Sequence, residues 1–271
     1  MNAGSLLVLS VLAAGLACVT SLGGILGPGT YERETPAWAV QAIGQDCTNL
    51  LVAVILVWSA ALVRRHSIRA LHVWLGSLLY LIYAFAIYAF AVHFNRFFLA
   101  YVAVLGLSFY ALVGTLAELD MREATAPLRD HPHRKGAGSL LIVIGALFGL
   151  LWLSEIVPHV LSNTTPSTLR ETALWTNPVH VLDLAFLLPA MILVGVLLRR
   201  QHVWGLLLAV PLLVFAVTMG IGILTLFALS AMRGLPVALP AAVVVGIIVL
   251  LSSLYIALML RWHAGARPAA G

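Results

Sequence analysis

The sequence predicts an all-α polytopic membrane protein of eight transmembrane helices, and three observations carry that expectation. The 271-residue chain is 62% hydrophobic and 9% charged, where a soluble domain carries about 25% charged residues. Runs of about 20 apolar residues, the length that crosses a bilayer core, recur from one end of the chain to the other. The 15 basic residues also divide unevenly between the two sides of an eight-span topology.

Hydropathy places the spans at about 5–27, 38–63, 71–92, 97–117, 138–158, 178–198, 204–228 and 237–260. The first lacks the basic start of a signal peptide, and its apolar run is longer than such peptides use. It is therefore expected to stay as a span. Gly15-Leu16-Ala17-Cys18 departs from a lipoprotein cleavage site by having Gly where Leu belongs. The second and sixth spans open on Thr35-Pro36 and Asn177-Pro178. Thr and Asn suit an N-cap, and Pro suits the first helical turn. The third span begins at His72-Val73-Trp74, and the tight turn His93-Phe94-Asn95-Arg96 joins it to the fourth. The fifth ends in Glu155 and His159, and the seventh is led by His202-Val203-Trp204. Pro189, Pro211 and Pro240 each remove a backbone donor from a later span.

This is one transmembrane domain over 1–271, with halves 1–117 and 138–263 joined by a loop at 118–137. Arg64, Arg65, Arg69, Arg122, Arg129, Arg134, Lys135, Arg199, Arg200, Arg261 and Arg267 lie on one side. Arg33, Arg96, Arg170 and Arg233 lie on the other. The positive-inside bias puts the first set, and both termini, in the cytoplasm of a cell-membrane protein. The basic balance is thus read as orientation, the partner as the lipid bilayer, and no nucleic-acid partner is expected. Cys18 and Cys47 form no Cys-x-x-Cys motif, which disfavours thiol redox chemistry. Trp38, Trp74, Trp152, Trp175, Trp204 and Trp262 fall near span ends, as an aromatic belt does. His66, His72, His202 and His263 are expected at headgroups, and His131-Pro132-His133 in a solvated loop.

The halves carry a short echo. Gln45-Asp46 leads through an apolar run to Arg64-Arg65, and Leu182-Asp183 leads to Arg199-Arg200; a His-Val-Trp follows each arginine pair. The echo predicts a four-plus-four parallel repeat in which Asp46 and Asp183 correspond. Transporter sites lie at such repeat interfaces.

Ligand-type residues gather at the end of the spans opposite the arginines. Asp46 and Asn49, Glu155 and His159, and His180 and Asp183 are each three or four residues apart, so each pair shares a helix face. Intramembrane acids are costly and mark functional sites. Asp46, Asp183, Glu155 and His180 are the candidate acid–base groups. Asn49, Tyr80, Tyr83, Tyr88, His93 and Asn95 are candidate substrate contacts. His159, His180, Asp183 and Glu155 form a candidate nitrogen–oxygen ligand set for a divalent metal such as Zn, Mn or Fe. A metal-free alternative makes the two aspartates a proton-handling pair with His180 as relay. Haem is disfavoured, because no His pair on facing helices is evident at matching depth.

Three functional readings stay open. An embedded enzyme or ligand site would act on a lipid-like or apolar substrate through an outward-facing carboxylate and histidine pocket. A carrier would couple a small molecule to protons or cations. A sensor or scaffold would use the same pocket without turnover.

Overall fold

A computed structural model describes residues 3–261; Trp262, His263 and Arg267 lie outside the described residues. Its helices are α1 (Ala3–Leu26), α2 (Pro36–Val63), α3 (Ile68–Ala91), α4 (Phe98–Glu118), α5 (Met121–Thr125), α6 (Arg134–Ser162), α7 (Ser167–Thr172), α8 (Pro178–Leu182), α9 (Leu188–Arg199), α10 (Val203–Met232) and α11 (Leu239–Arg261). Among the described residues there is no strand. Eight helical spans are long and apolar enough to cross a membrane, α8 and α9 counting together as the sixth. The chain is an all-α polytopic membrane protein.

Local chemistry sets the starts. The Thr35 side chain accepts from the Trp38 amide, Ser67 from Ala70, Asn177 from Val179 and His202 from Trp204, each supplying an acceptor to a first-turn amide that the helix leaves open. Ser67 moves the start of the third span to Ile68, three residues before the hydropathy boundary. His72 therefore lies a full turn inside α3, whereas His202 is the cap of α10.

The sixth span is interrupted for a covalent reason. Pro189 has no amide hydrogen for the Ala185 carbonyl and its ring crowds that turn. The chain responds with one turn of π-helix over Asp183–Leu187, in which the Leu188 amide reaches back to the Asp183 carbonyl. Such a turn admits one extra residue, and here it re-aims Asp183.

Helices α1 to α4 form a ring, each packed on the next and α4 on α1; α10 lies against α2, α3, α9 and α11, and α6 packs on α9. The most hydrophobic stretches of α3 and α10 are 67% and 72% buried against 17% for α6 and α11. Helices α3 and α10 are therefore the core of the bundle, and α6 and α11 are its lipid-facing flanks. Gly76 makes their crossing close: a Cβ there would run into the Pro211 carbonyl and the Val214 side chain of α10. Small residues at such crossings let membrane helices approach.

Four surface expectations are corrected by this packing. Trp74 is fully buried and donates its indole N–H to the Ser10 hydroxyl at 2.8 Å. Trp38 is buried too, donating to the Ala91 carbonyl at 3.1 Å. His72 and His131 are each 1% exposed, neither at a headgroup nor in solvent. Amphipathic groups sink when a polar partner waits inside, and span-end position says nothing about which face they occupy. Trp175 and Trp204 do face outward.

Candidate functional site

The site sits at the end of the bundle opposite the arginine pairs and is organised by α3. Tyr80, Tyr83 and Tyr88 are all buried. A spacing of three and then five residues spreads their hydroxyls over more than one side of the helix. Tyr88 faces α2, Tyr83 faces the α8–α9 span, and the Phe215 ring of α10 lies 6.5 Å from that of Tyr80 and 5.3 Å from that of Tyr83.

Asp46 is 1% exposed. It accepts from the Tyr31 hydroxyl on Oδ2 at 2.7 Å and from the Tyr88 hydroxyl on Oδ1 at 2.9 Å. Tyr31 reaches it from the turn between α1 and α2, and Gly24 of α1 leaves the space: a Cβ there would overlap both Asp46 Oδ2 and the Tyr31 hydroxyl. Burial, and next the Asp46 carboxyl, push the Tyr31 phenol far above its usual value. Tyr101 packs its ring 5.1 Å from Tyr88 and completes the aromatic wall.

One turn along α2, Asn49 belongs to a polar chain that runs across three helices. Gln45 donates to the Tyr80 hydroxyl, Tyr80 donates to Asn49 Oδ1 at 3.1 Å, and Asn49 donates to the Ser21 hydroxyl at 3.2 Å. Every member has a partner, as burial demands.

Asp183 is 6% exposed and has a separate cage. The Tyr83 hydroxyl donates to Oδ1 at 2.9 Å and the Trp152 indole to Oδ2 at 2.8 Å. The Trp152 ring lies 4.6 Å from the His180 ring, and His180 Nε2 is 3.9 Å from Glu155 Oε2. The other Glu155 oxygen accepts from Thr168 of α7 at 2.6 Å. Glu155, His180, Trp152 and Asp183 thus line up from the half-exposed edge inward.

The arrangement separates residues that sequence spacing grouped together. No hydrogen bond joins the two aspartates; each has its own donors. His159 turns away to Thr164 at 2.9 Å, and among the described residues no three His, Cys, Asp or Glu side chains converge on a metal position. The set His159, His180, Asp183 and Glu155 is therefore not gathered. His93 serves loop structure: its amide and ring both engage Glu34, at 2.7 and 2.9 Å. Asn95 caps the Phe97 amide at 2.9 Å and reaches the Tyr101 hydroxyl at 3.5 Å, at the outer edge of the Asp46 cage.

No protein family, curated protein or solved structure matches the chain.

Two residues of the cages were not visible as site residues in the sequence. Tyr31 stands in a turn rich in Gly and Pro, where its only signal is being the sole aromatic between two spans. Trp152 has the outline of a belt residue; its spacing of three from Glu155 was the available clue.

Proposed function

We propose that the protein is a proton-linked membrane carrier for a small apolar or lipid-like molecule, with Asp46 and Asp183 as its proton-handling groups. The observation that carries this is a count of hydrogens at Tyr88. Its single hydroxyl hydrogen lies between two acceptors, Asp46 Oδ1 at 2.9 Å and the Ala42 carbonyl at 3.0 Å. A hydroxyl donates once. With Asp46 ionised, that one hydrogen is shared between the two acceptors; a protonated Asp46 that donates to Tyr88 frees it for Ala42, and both contacts are then full hydrogen bonds. Loss of that proton returns Tyr88 to the shared arrangement, and the tie of α3 to α2 weakens.

Asp183 presents the opposite case. Tyr83 and Trp152 donate nowhere else and fill both of its oxygens, a set suited to an ionised carboxylate. Two acids in differently furnished cages, both tied to one helix, suit proton exchange linked to movement of that helix. Among the described residues no lysine or arginine pairs with either acid, so a proton is the available charge partner. A four-plus-four repeat is part of this reading. It is supported by the packing order, since the second half also packs its spans sequentially and α3 and α10 each touch the acid-bearing span of the other half. The arginine-rich end is proposed to face the cytoplasm.

A second reading, an embedded enzyme on a lipid-like substrate, draws on the Glu155–His180 pair at the half-exposed edge, an acid and a base in reach of each other. Infrared difference spectroscopy on protein in lipid separates the two. The carrier reading expects a protonated-carboxyl band that Asp46→Asn abolishes and Asp183→Asn leaves in place, and proteoliposomes whose internal pH dye responds only when Asp46 is intact. A band indifferent to Asp46 sinks it. Product formation from labelled membrane lipid, lost in His180→Ala, favours the enzyme.

A further inference from the structure

At the basic end of α3, His72 meets two backbone oxygens. Nδ1 is 3.1 Å from the Leu207 carbonyl of α10, and Nε2 is 3.3 Å from the Ala124 carbonyl of α5. A proline stands one helical step beyond each carbonyl. In an α-helix the Leu207 oxygen would be answered by the amide of residue 211, but that residue is Pro211, inside α10. Ala124 leads into the 3-10 turn Ala126–Leu128, where a three-residue step lands on Pro127. Proline has no hydrogen to give, and buried carbonyls left open are costly.

A carbonyl only accepts. A neutral imidazole has one N–H and one bare nitrogen, and it can serve one of these oxygens; only the imidazolium serves both. We propose that His72 is a second proton-binding site, whose imidazolium clamps α3 to α10 and α5 and whose neutral form releases one of the two carbonyls. The clamp joins the helices that form the core of the bundle, at the end opposite the aspartates. Helix α3 then carries a proton-dependent tie near each end.

The surroundings fit a group that exchanges protons with the basic side. Leu71 and Ala124, the neighbours of His72 in chain and in space, help to line a cavity of about 240 Å³. His66 from the end of α2, Glu118 from α4, and Asp120 and Glu123 from the α5 segment line the same cavity. On its own helix Arg69 lies one turn before it. Helix α10 brings no titratable side chain between Val203 and Pro211. These three acids stand on the same cavity wall as Ala124, whose carbonyl His72 Nε2 meets. The corresponding His202 has none of this: it accepts from the Trp204 amide as an exposed cap.

The inference is independent of the carrier reading, since it concerns a different group at the other end of α3. Its test reads nitrogen, where that of the aspartates reads carboxyl. Full-length protein labelled with ¹⁵N-histidine in lipid nanodiscs is titrated by NMR, with His72→Gln to assign the signal. One histidine with hydrogens on both ring nitrogens, absent from His72→Gln and converting to a one-hydrogen form as pH rises, is the expected result. A signal that stays in the neutral form at every pH where the protein is folded overturns the proposal, as does an imidazolium that never converts. Pro211→Ala supplies a check that needs no spectrum, because residue 211 then has an amide for Leu207. His72→Gln is expected to lower the melting temperature by several degrees in the parent and by roughly half as much or less in Pro211→Ala, the mark of coupled residues. Equal losses in the two backgrounds overturn the pairing of Nδ1 with Leu207.

Discussion

Gly24 and Tyr31 show how much of the Asp46 cage depends on single atoms. Gly24→Ala puts a methyl group where Asp46 Oδ2 and the Tyr31 hydroxyl now meet. Neither can retreat without breaking a buried bond, so the expected cost is about 1–3 kcal/mol, read as a lower melting temperature of the purified protein. An unchanged melting temperature would mean that α1 and α2 are not held so closely. Tyr31 also makes a pH prediction. Its phenol is pushed up by burial first and by Asp46 second, so the folded protein keeps this proton at pH values where the unfolded chain has lost it. The native state binds more protons there, and stability falls with rising pH. The contribution is complete below a pH of about 10, the ordinary tyrosine value, and is lost above it. Tyr31→Phe is expected to be less stable near neutrality, by about 1–3 kcal/mol for the donor removed from a buried acid, and to lose less on going alkaline. A parallel alkaline fall in both proteins would remove Tyr31 as a contributor.

The elements carry the site through two proline effects. Pro189 creates the π turn that aims Asp183 between Tyr83 and Trp152. With Pro189→Ala the Ala185 carbonyl regains a donor, the extra residue is no longer accommodated, and α8 rotates by about 100° relative to α9, one residue's worth of an α-helix. Asp183 should then leave Trp152, detectable as loss of the hydrogen-bonded indole signature in ultraviolet resonance Raman spectra, with Trp152→Phe as reference. Retention of that signature would show that the π turn has another cause. Pro211 acts from the other side: it frees the Leu207 carbonyl that His72 occupies. Both prolines could be read from the sequence as defects in a helix, yet neither announces which side chain answers the defect, because the answering groups come from other helices.

For the whole molecule, α3 is the member that the other parts share. It lies in the ring of α1 to α4, crosses α10, and reaches Asp183 in the sixth span, so both cages share one helix. The direction of the bundle is testable directly. Single cysteines at Arg129 and Arg233, in a background lacking Cys18 and Cys47, are expected to react oppositely with a membrane-impermeant maleimide on intact cells: position 233 labelled, position 129 labelled only after lysis. The reverse pattern would invert the topology and place both aspartates toward the cytoplasm. The proposed repeat is unequal at different depths. His72 and His202 correspond in sequence but not in role, because Ser67 starts α3 earlier than its counterpart starts α10. Asp46 and Asp183 both find aromatic donors, but both take a tyrosine from α3 and none from α10.

Fold class, span boundaries to within a few residues and the end of the bundle where buried acids lie were all legible in the chain before folding. These follow from hydropathy, capping and helical rise, which are properties of one segment at a time. Sequence alone also marked Asp46, Asp183 and the three tyrosines as residues out of place in an apolar helix. It took the packing of the helices to show that Tyr31, Tyr88, Tyr83 and Trp152 cage the acids, that His159 and His93 turn elsewhere, and that Trp74 and His72 are interior. Those choices depend on which faces of different helices meet. A polar group in a dry bundle goes to whichever partner the neighbouring helix presents, and spacing along one chain segment does not record what the next helix presents.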